Sequence, residues 1–225
     1  MFINYSKKYI YLRVPKTGST SFQHQLIEDY DRSDEVAYTQ IIYCDVMGKN
    51  WFHSQPFAYN PHLTLPELKI LGIKVDDYDV YASLRNPIDR FLSRAYHMDY
   101  YVDGDKERLR KPQPNINKNK LVEKYLNYLS NNPRELTYNH MWHPQTSWLI
   151  YKENEINKIF LHEEISQMMS ELTGNGVMRY TYRTEPREDK SWSGIDDNLI
   201  EGIRNYYDED FHLYEKYCIK RIEKQ

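Results

Sequence analysis

The sequence predicts an α/β domain built on a mostly parallel sheet, and three features carry that expectation. Strand-like and helix-like segments alternate along the chain. Two of the strands run through a turn directly into a helix, over residues 9–25 and 79–101. The 225 residues, 27.3 kDa, are enough for one such domain with a substantial core and short for two. Residues 1–225 are therefore read as a single domain.

Each element has its own local cause. Residues 9–14, YIYLRV, form a short strand entering Pro15, and residues 20–30 follow as a helix with Phe22, Leu26 and Ile27 on its apolar side. VAYTQIIY at 36–43 reads as a second strand, its β-branched and aromatic residues suiting a pleated surface. FHSQPFAYNPHLTLPEL at 52–68 carries three prolines and two histidines, so it reads as loop until a helix opens near Pro66. DVYASL at 79–84 is a strand that stops at Arg85. Asn86 and Pro87 then open a helix to Tyr101, with Pro87 in a first-turn position where its missing N–H costs nothing.

The polar stretch 103–119 reads as a solvated excursion with room to move. Helical signals resume near Leu121, and KIFLHE at 158–163 is a strand feeding a helix towards Leu172. Residues 196–217 close the chain as one or two helices, with Leu199, Ile200, Ile203 and Tyr207 as the buried stripe. Strands alternating with helices imply a sheet covered on both faces.

Composition narrows the partners. A formal charge of −3 and a pI near 6.3 provide no global basic field, so neither nucleic acid nor an anionic membrane is an expected partner. Cys44 and Cys218 have no metal-ligand spacing, and no metal is expected. No apolar run reaches the length of a membrane span and the first residues lack a signal-like stretch, so a cytoplasmic location is expected. The 22 tyrosines need no special role beyond packing.

The first strand–turn–helix junction, VPKTGST, is built to hold an oxyanion. Gly18 lets the backbone curl closely, and N–H groups from Thr17 to Thr20 converge where the helix dipole favours negative charge. Lys16 adds a mobile cation, and Ser19 and Thr20 add hydroxyl donors. It is not the GxxxxGK[ST] loop of nucleoside triphosphatases: the lysine precedes the glycine and no second glycine opens the loop. An ordinary surface turn with a helix cap fits the same letters.

The second junction, ASLRNPIDRFLSRAYH, places Arg85 at a strand end, where its planar fork suits a phosphate. Ser93 follows about two helical turns on. Phe91, Leu92 and Ala95 form the apolar face, which leaves Arg90 and Ser93 for other work. Alternatively Arg90 and Arg94 are solvated helix charges.

Together the two motifs resemble the sulfotransferases that use 3′-phosphoadenosine 5′-phosphosulfate (PAPS). VPKTGST is similar to their 5′-phosphosulfate loop, and LRNPIDRFLSRAY to their 3′-phosphate motif, in family order. HPQTSWL, KIFLHEE and YYDEDFHLYEKY extend the likeness over most of the chain. The nearest type is the membrane-type carbohydrate sulfotransferases, including the 2-O group, without their anchor. The resemblance implies a P-loop-like three-layer fold and metal-free use of PAPS. Lys16, Thr17, Gly18, Ser19 and Thr20 would hold its phosphosulfate end, and Arg85 and Ser93 its 3′-phosphate. Ser19 stands where glycine is common, which retains the backbone donor.

Sulfuryl transfer needs a cation at the departing oxygen, backbone donors and a base for the acceptor hydroxyl. Lys16 is the candidate cation. YNPHLT resembles the Gly-His-Val-like segment that carries the histidine base of related 2-O-sulfotransferases, which makes His62 the candidate base. His53 is second in the same loop, and Glu67 is a further option. HMWHPQTSWL offers His140, His143, Gln145 and Trp148 as the lining of an acceptor cleft, or else a buried aromatic anchor beside solvated histidines. Late in the chain, Arg183 and Thr184 are candidates to close over PAPS, whereas Arg187 and Lys190 fit a solvated charge run. The expected acceptor is a hydroxyl compound, foremost a carbohydrate. A small-molecule kinase and a catalytically silent nucleotide-binding protein are the competing classes.

Overall fold

The computed structural model describes residues 1–38, 62–101, 117–132, 140–176 and 192–223. In chain order the elements are β1 (Phe2–Asn4), β2 (Tyr9–Tyr11), α1 (Ser19–Asp29), β3 (Val36–Tyr38), α2 (Leu65–Ile70), β4 (Asp79–Leu84), α3 (Pro87–Tyr101) and α4 (Lys118–Asn131). There follow α5 (Thr146–Leu149), β5 (Ile150–Tyr151), β6 (Asn154–Glu155), β7 (Lys158–Leu161), α6 (Ile165–Thr173), α7 (Asp197–Tyr206) and α8 (Asp208–Ile222). They form two compact units, Met1–Ser83 with Ser147–Arg179 and Leu84–Thr146 with Tyr180–Gln225.

The first unit is an α/β layer arrangement on a five-stranded sheet of order β3-β1-β2-β4-β7. β2 and β4 are parallel, with Tyr11 opposite Tyr81. β1 is antiparallel to both β2 and β3, placing Phe2 opposite Tyr11 on one side and Tyr38 on the other. The sheet is therefore mixed, and the expected mostly parallel sheet is corrected at this edge. The cause is β1, three residues long, which a short turn returns as a hairpin; a parallel neighbour would need a crossover. Lys8 makes that turn with a φ of 55°.

Alternation sorts the side chains. Phe2, Tyr9, Tyr11 and Tyr81 share one face with Phe160 and pack against Phe22 and Leu26 of α1 and Ile165, Met168, Met169 and Leu172 of α6. Tyr11 and Phe22 approach to 4.4 Å between ring centres, and Phe2 stacks on Tyr38 at 6.0 Å. Ile3, Ile10, Val80 and Ala82, on the opposite face, are buried as well. Tyr9, Tyr11 and Tyr81 are thus core residues of a sheet buried on both sides.

The second unit is helical and closes around Trp142. Phe91, Leu92 and Ala95 of α3 meet Leu121, Val122, Tyr125 and Leu129 of α4, with Ile203, Tyr207 and Phe211 from the C-terminal pair. The expected stripe on α7 is present, Leu199 and Ile200 packing at its margin. The chain bends at Tyr207, whose hydroxyl donates to the Trp142 carbonyl at 2.9 Å, and this separates α7 from α8. Residues 117–119, read from sequence as the end of the polar excursion, instead open α4, where the Asn117 side chain accepts the Lys120 N–H at 3.1 Å. Among the described residues no helix is long and apolar enough to cross a membrane.

Arg90 and Arg94 are not solvated; they are 2% and 4% exposed. Arg90 donates to the carbonyls of His143 at 2.6 Å and Met141 at 3.3 Å, and its Nη1 lies 3.8 Å from Asp210. Arg94 lies over the Trp142 ring at 5.5 Å, and burial pushes its guanidinium down to about 10. Arg90 serves the short helical turn His140–Trp142 through the Met141 carbonyl, and Arg94 covers the Trp142 ring.

Replacing Asp210 by Ala removes the carboxylate 3.8 Å from Arg90 and the acceptor of the Gln145 and Thr146 N–H groups. The expected loss is about 3–5 kcal/mol in urea denaturation. A loss under about 0.5 kcal/mol would remove this contact from the account.

Candidate active site

β2 ends at Tyr11, and the chain continues its ladder for one residue, Leu12 N–H donating to Tyr81 O at 2.8 Å. It then folds into a loop tied to itself and to two neighbouring strands. The hydroxyls of Thr17 and Ser19 both donate to Val14 O, at 2.9 and 3.0 Å. From the end of β4, Ser83 Oγ donates to Thr17 Oγ1 at 2.7 Å. From the residue after β7, His162 Nδ1–H donates to Thr17 O at 3.0 Å; a carbonyl can only accept, which fixes that tautomer.

These ties hold a backbone that most residues resist. Lys16 has φ 66° and Gly18 φ 80°, both left-handed. At Gly18 a Cβ would also stand 2.9 Å from His162 Cε1, so glycine is required for space as well as conformation. Gly18 is the N-cap of α1, which has no acidic residue in its first turn. The N–H groups of Gly18, Ser19 and Thr20 have no acceptor among the described residues. Lys16 stands beside them half-exposed. Donors, helix dipole and cation favour an oxyanion at this place.

Arg13 connects the loop to the candidate base. Its side chain is 1% exposed, and Nη2 donates to Thr20 Oγ1 at 2.8 Å. Its carbonyl accepts Nδ1–H of His62 at 2.7 Å, so Nε2 is the ring nitrogen that carries the lone pair. Trp148 holds the same residue from behind, Nε1–H donating to His62 O at 2.8 Å. Burial pushes the imidazole down to about 3, and the charges of Arg13 and, less strongly, Lys16 push the same way. His62 is therefore neutral at physiological pH. Five residues on, Glu67 is committed to the capping box of α2, its Oε2 accepting the N–H of Thr64 at 2.6 Å and its hydroxyl at 2.8 Å.

The second motif is in the helical unit. Asn86 caps α3, its Oδ1 accepting the N–H groups of Ile88 at 2.9 Å and Asp89 at 3.3 Å. Arg85 and Ser93 are both half-exposed. Gln145 and Trp148 are 0% and 1% exposed, so neither offers a surface to an acceptor, and their reading as cleft lining is corrected. The Gln145 amide bonds the backbone of Arg85, and the Trp148 indole is occupied by His62. His143 is half-exposed and gives its carbonyl to Arg90, while His140 begins the turn before it. His53, Arg183 and Thr184 lie outside the described residues, as do Cys44, Arg187 and Lys190.

Three contributors were not singled out from sequence: Arg13, Ser83 and His162. Arg13 carries a signal, a charge between the apolar Leu12 and Val14 at the end of a strand. Ser83 and His162 carry none, because their value comes from strand neighbours that only the sheet order defines.

A family model described as the Sulfotransferase family matches residues 1–217. No curated protein and no solved structure matches the chain.

His62 also sets a pH dependence. Folded, it takes a proton only near pH 3; unfolded, near 6.5. Between these values the unfolded chain binds more protons, so this contribution to stability is lost as pH falls from about 6.5 towards 3. The urea midpoint of the parent should fall more steeply across that window than that of His62→Gln. Parallel profiles would contradict the assignment.

Proposed function

The chain belongs to the sulfotransferase family, and from that premise we propose that it moves a sulfuryl group from PAPS to an acceptor hydroxyl, foremost on a carbohydrate. One observation supports this reading most. A single residue, Arg13, bonds the phosphate-type loop through its guanidinium at 2.8 Å and the imidazole of His62 through its carbonyl at 2.7 Å. Anion cradle and base are thereby registered to each other within one unit.

In this reading the N–H groups of Gly18, Ser19 and Thr20 take the phosphosulfate end. Arg85 and Ser93 take the 3′-phosphate, a pairing that rests on the two sequence motifs. The acceptor oxygen attacks sulfur while the bond from sulfur to the bridging oxygen breaks, and adenosine 3′,5′-bisphosphate departs. Lys16 neutralises the charge that grows on that oxygen. The acceptor proton passes to Nε2 of His62, whose Nδ1–H stays on Arg13 O. Burial depresses His62 most; a bound donor would offset only the smaller part that the charges of Arg13 and Lys16 contribute.

A kinase reading predicts the opposite ligand preference. Calorimetric titration should show adenosine 3′,5′-bisphosphate binding in preference to ATP with magnesium; preference for ATP would reject the sulfotransferase reading. With labelled PAPS and a carbohydrate acceptor panel, His62→Ala should lower kcat by about 10²–10⁴-fold with little change in donor affinity. Unchanged turnover would remove His62 from the mechanism.

A further inference from the structure

Arg85 stands one residue beyond the end of β4, where a strand runs out of ladder partners and its peptide groups need others. Gln145 supplies both. The Arg85 N–H donates to Gln145 Oε1 at 2.9 Å, and Gln145 Nε2–H donates back to Arg85 O at 2.8 Å. One amide group thus brackets one residue as a neighbouring strand would.

The bracket is itself anchored. Gln145 is fully buried, and its backbone N–H donates to Asp210 Oδ2 at 2.8 Å. The next N–H, of Thr146, donates to Asp210 Oδ1 at 3.0 Å, and the Thr146 hydroxyl reaches Glu209 at 3.1 Å. Asp210, in the first turn of α8, is 0% exposed and faces Arg90 of α3 at 3.8 Å. Every bond in this chain from α8 to Arg85 is buried or partly buried, where hydrogen bonds hold geometry most firmly.

We infer that Gln145 is a positioning residue for Arg85, and that α8, through Asp210, fixes the point from which the Arg85 guanidinium reaches an anion. The inference rests on the proposed role of Arg85 at the donor's 3′-phosphate and deepens it. Arg85 itself is only half-buried, and a long side chain on an unfixed backbone would lose much of its directional grip.

The test measures affinity by calorimetry for adenosine 3′,5′-bisphosphate and for adenosine 5′-monophosphate, and takes their ratio as the contribution of the 3′-phosphate. Gln145→Met, which keeps the volume and removes both bonds, should cut the ratio by about tenfold or more and leave 5′-monophosphate affinity within about twofold. Gln145→Asn, whose amide is one methylene short of the bracket, should do the same and serves if Gln145→Met does not fold. A merely structural role would weaken both ligands together, keep the ratio and overturn the inference. Arg85→Ala separates the two levels. If it collapses the ratio while both Gln145 variants retain it, the positioning role fails alone. If Arg85→Ala leaves the ratio intact, the reading of Arg85 fails and the inference with it.

Discussion

Thr17 is the fixed point of this protein. Its hydroxyl is used twice, towards Val14 O and from Ser83, and its carbonyl takes His162. That many ties are needed because the loop around it is strained. Lys16, with φ 66°, carries a side chain in a region that ordinarily costs about 1–2 kcal/mol for an L-residue. Such a conformation persists only where its surroundings over-determine it. The sheet provides the surroundings: β2, β4 and β7 are adjacent, and they deliver the loop, Ser83 and His162 respectively. The order of the strands therefore matters to the loop, because it brings these three strand ends together.

The electrostatics follow from the same construction. Arg13 is buried beside the loop, Lys16 is a half-exposed residue of it, and no acidic residue occupies the first turn of α1. Burial first, and the charge of Arg13 second, keep the His62 imidazole placed there neutral far below its ordinary range. Its tautomer is dictated by a carbonyl rather than by a carboxylate. The result is a loop flanked by Arg13 and Lys16, beside a neutral imidazole whose Nε2 carries the lone pair.

What the sequence revealed depended on how local each signal was. The strands beginning at Tyr9, Val36, Asp79 and Lys158 were legible because each alternates or ends at a turn. β1 was not, since three residues are too few to show a period. The loop from Lys16 to Thr20 was legible as a tight strand-to-helix turn because its parts are contiguous. Gln145 and Trp148 are both buried, which fits the second reading of that run, a buried aromatic anchor, and not the cleft lining: which polar side chain is buried, and against what, is decided by elements far away in sequence. Arg90 and Arg94 failed for a related reason. Arg90 bonds the carbonyls of Met141 and His143 and Arg94 lies over the Trp142 ring, needs set by a distant turn that no helical periodicity announces.

The central claim is that the backbone of Gly18, Ser19 and Thr20, shaped by the ties on Thr17, binds the anion directly. The most direct measurement is a nitrogen-15 amide titration of the labelled protein with adenosine 3′,5′-bisphosphate. Saturable downfield proton shifts at Gly18, Ser19 and Thr20 are the predicted result. Binding that leaves all three amides unmoved would contradict the account.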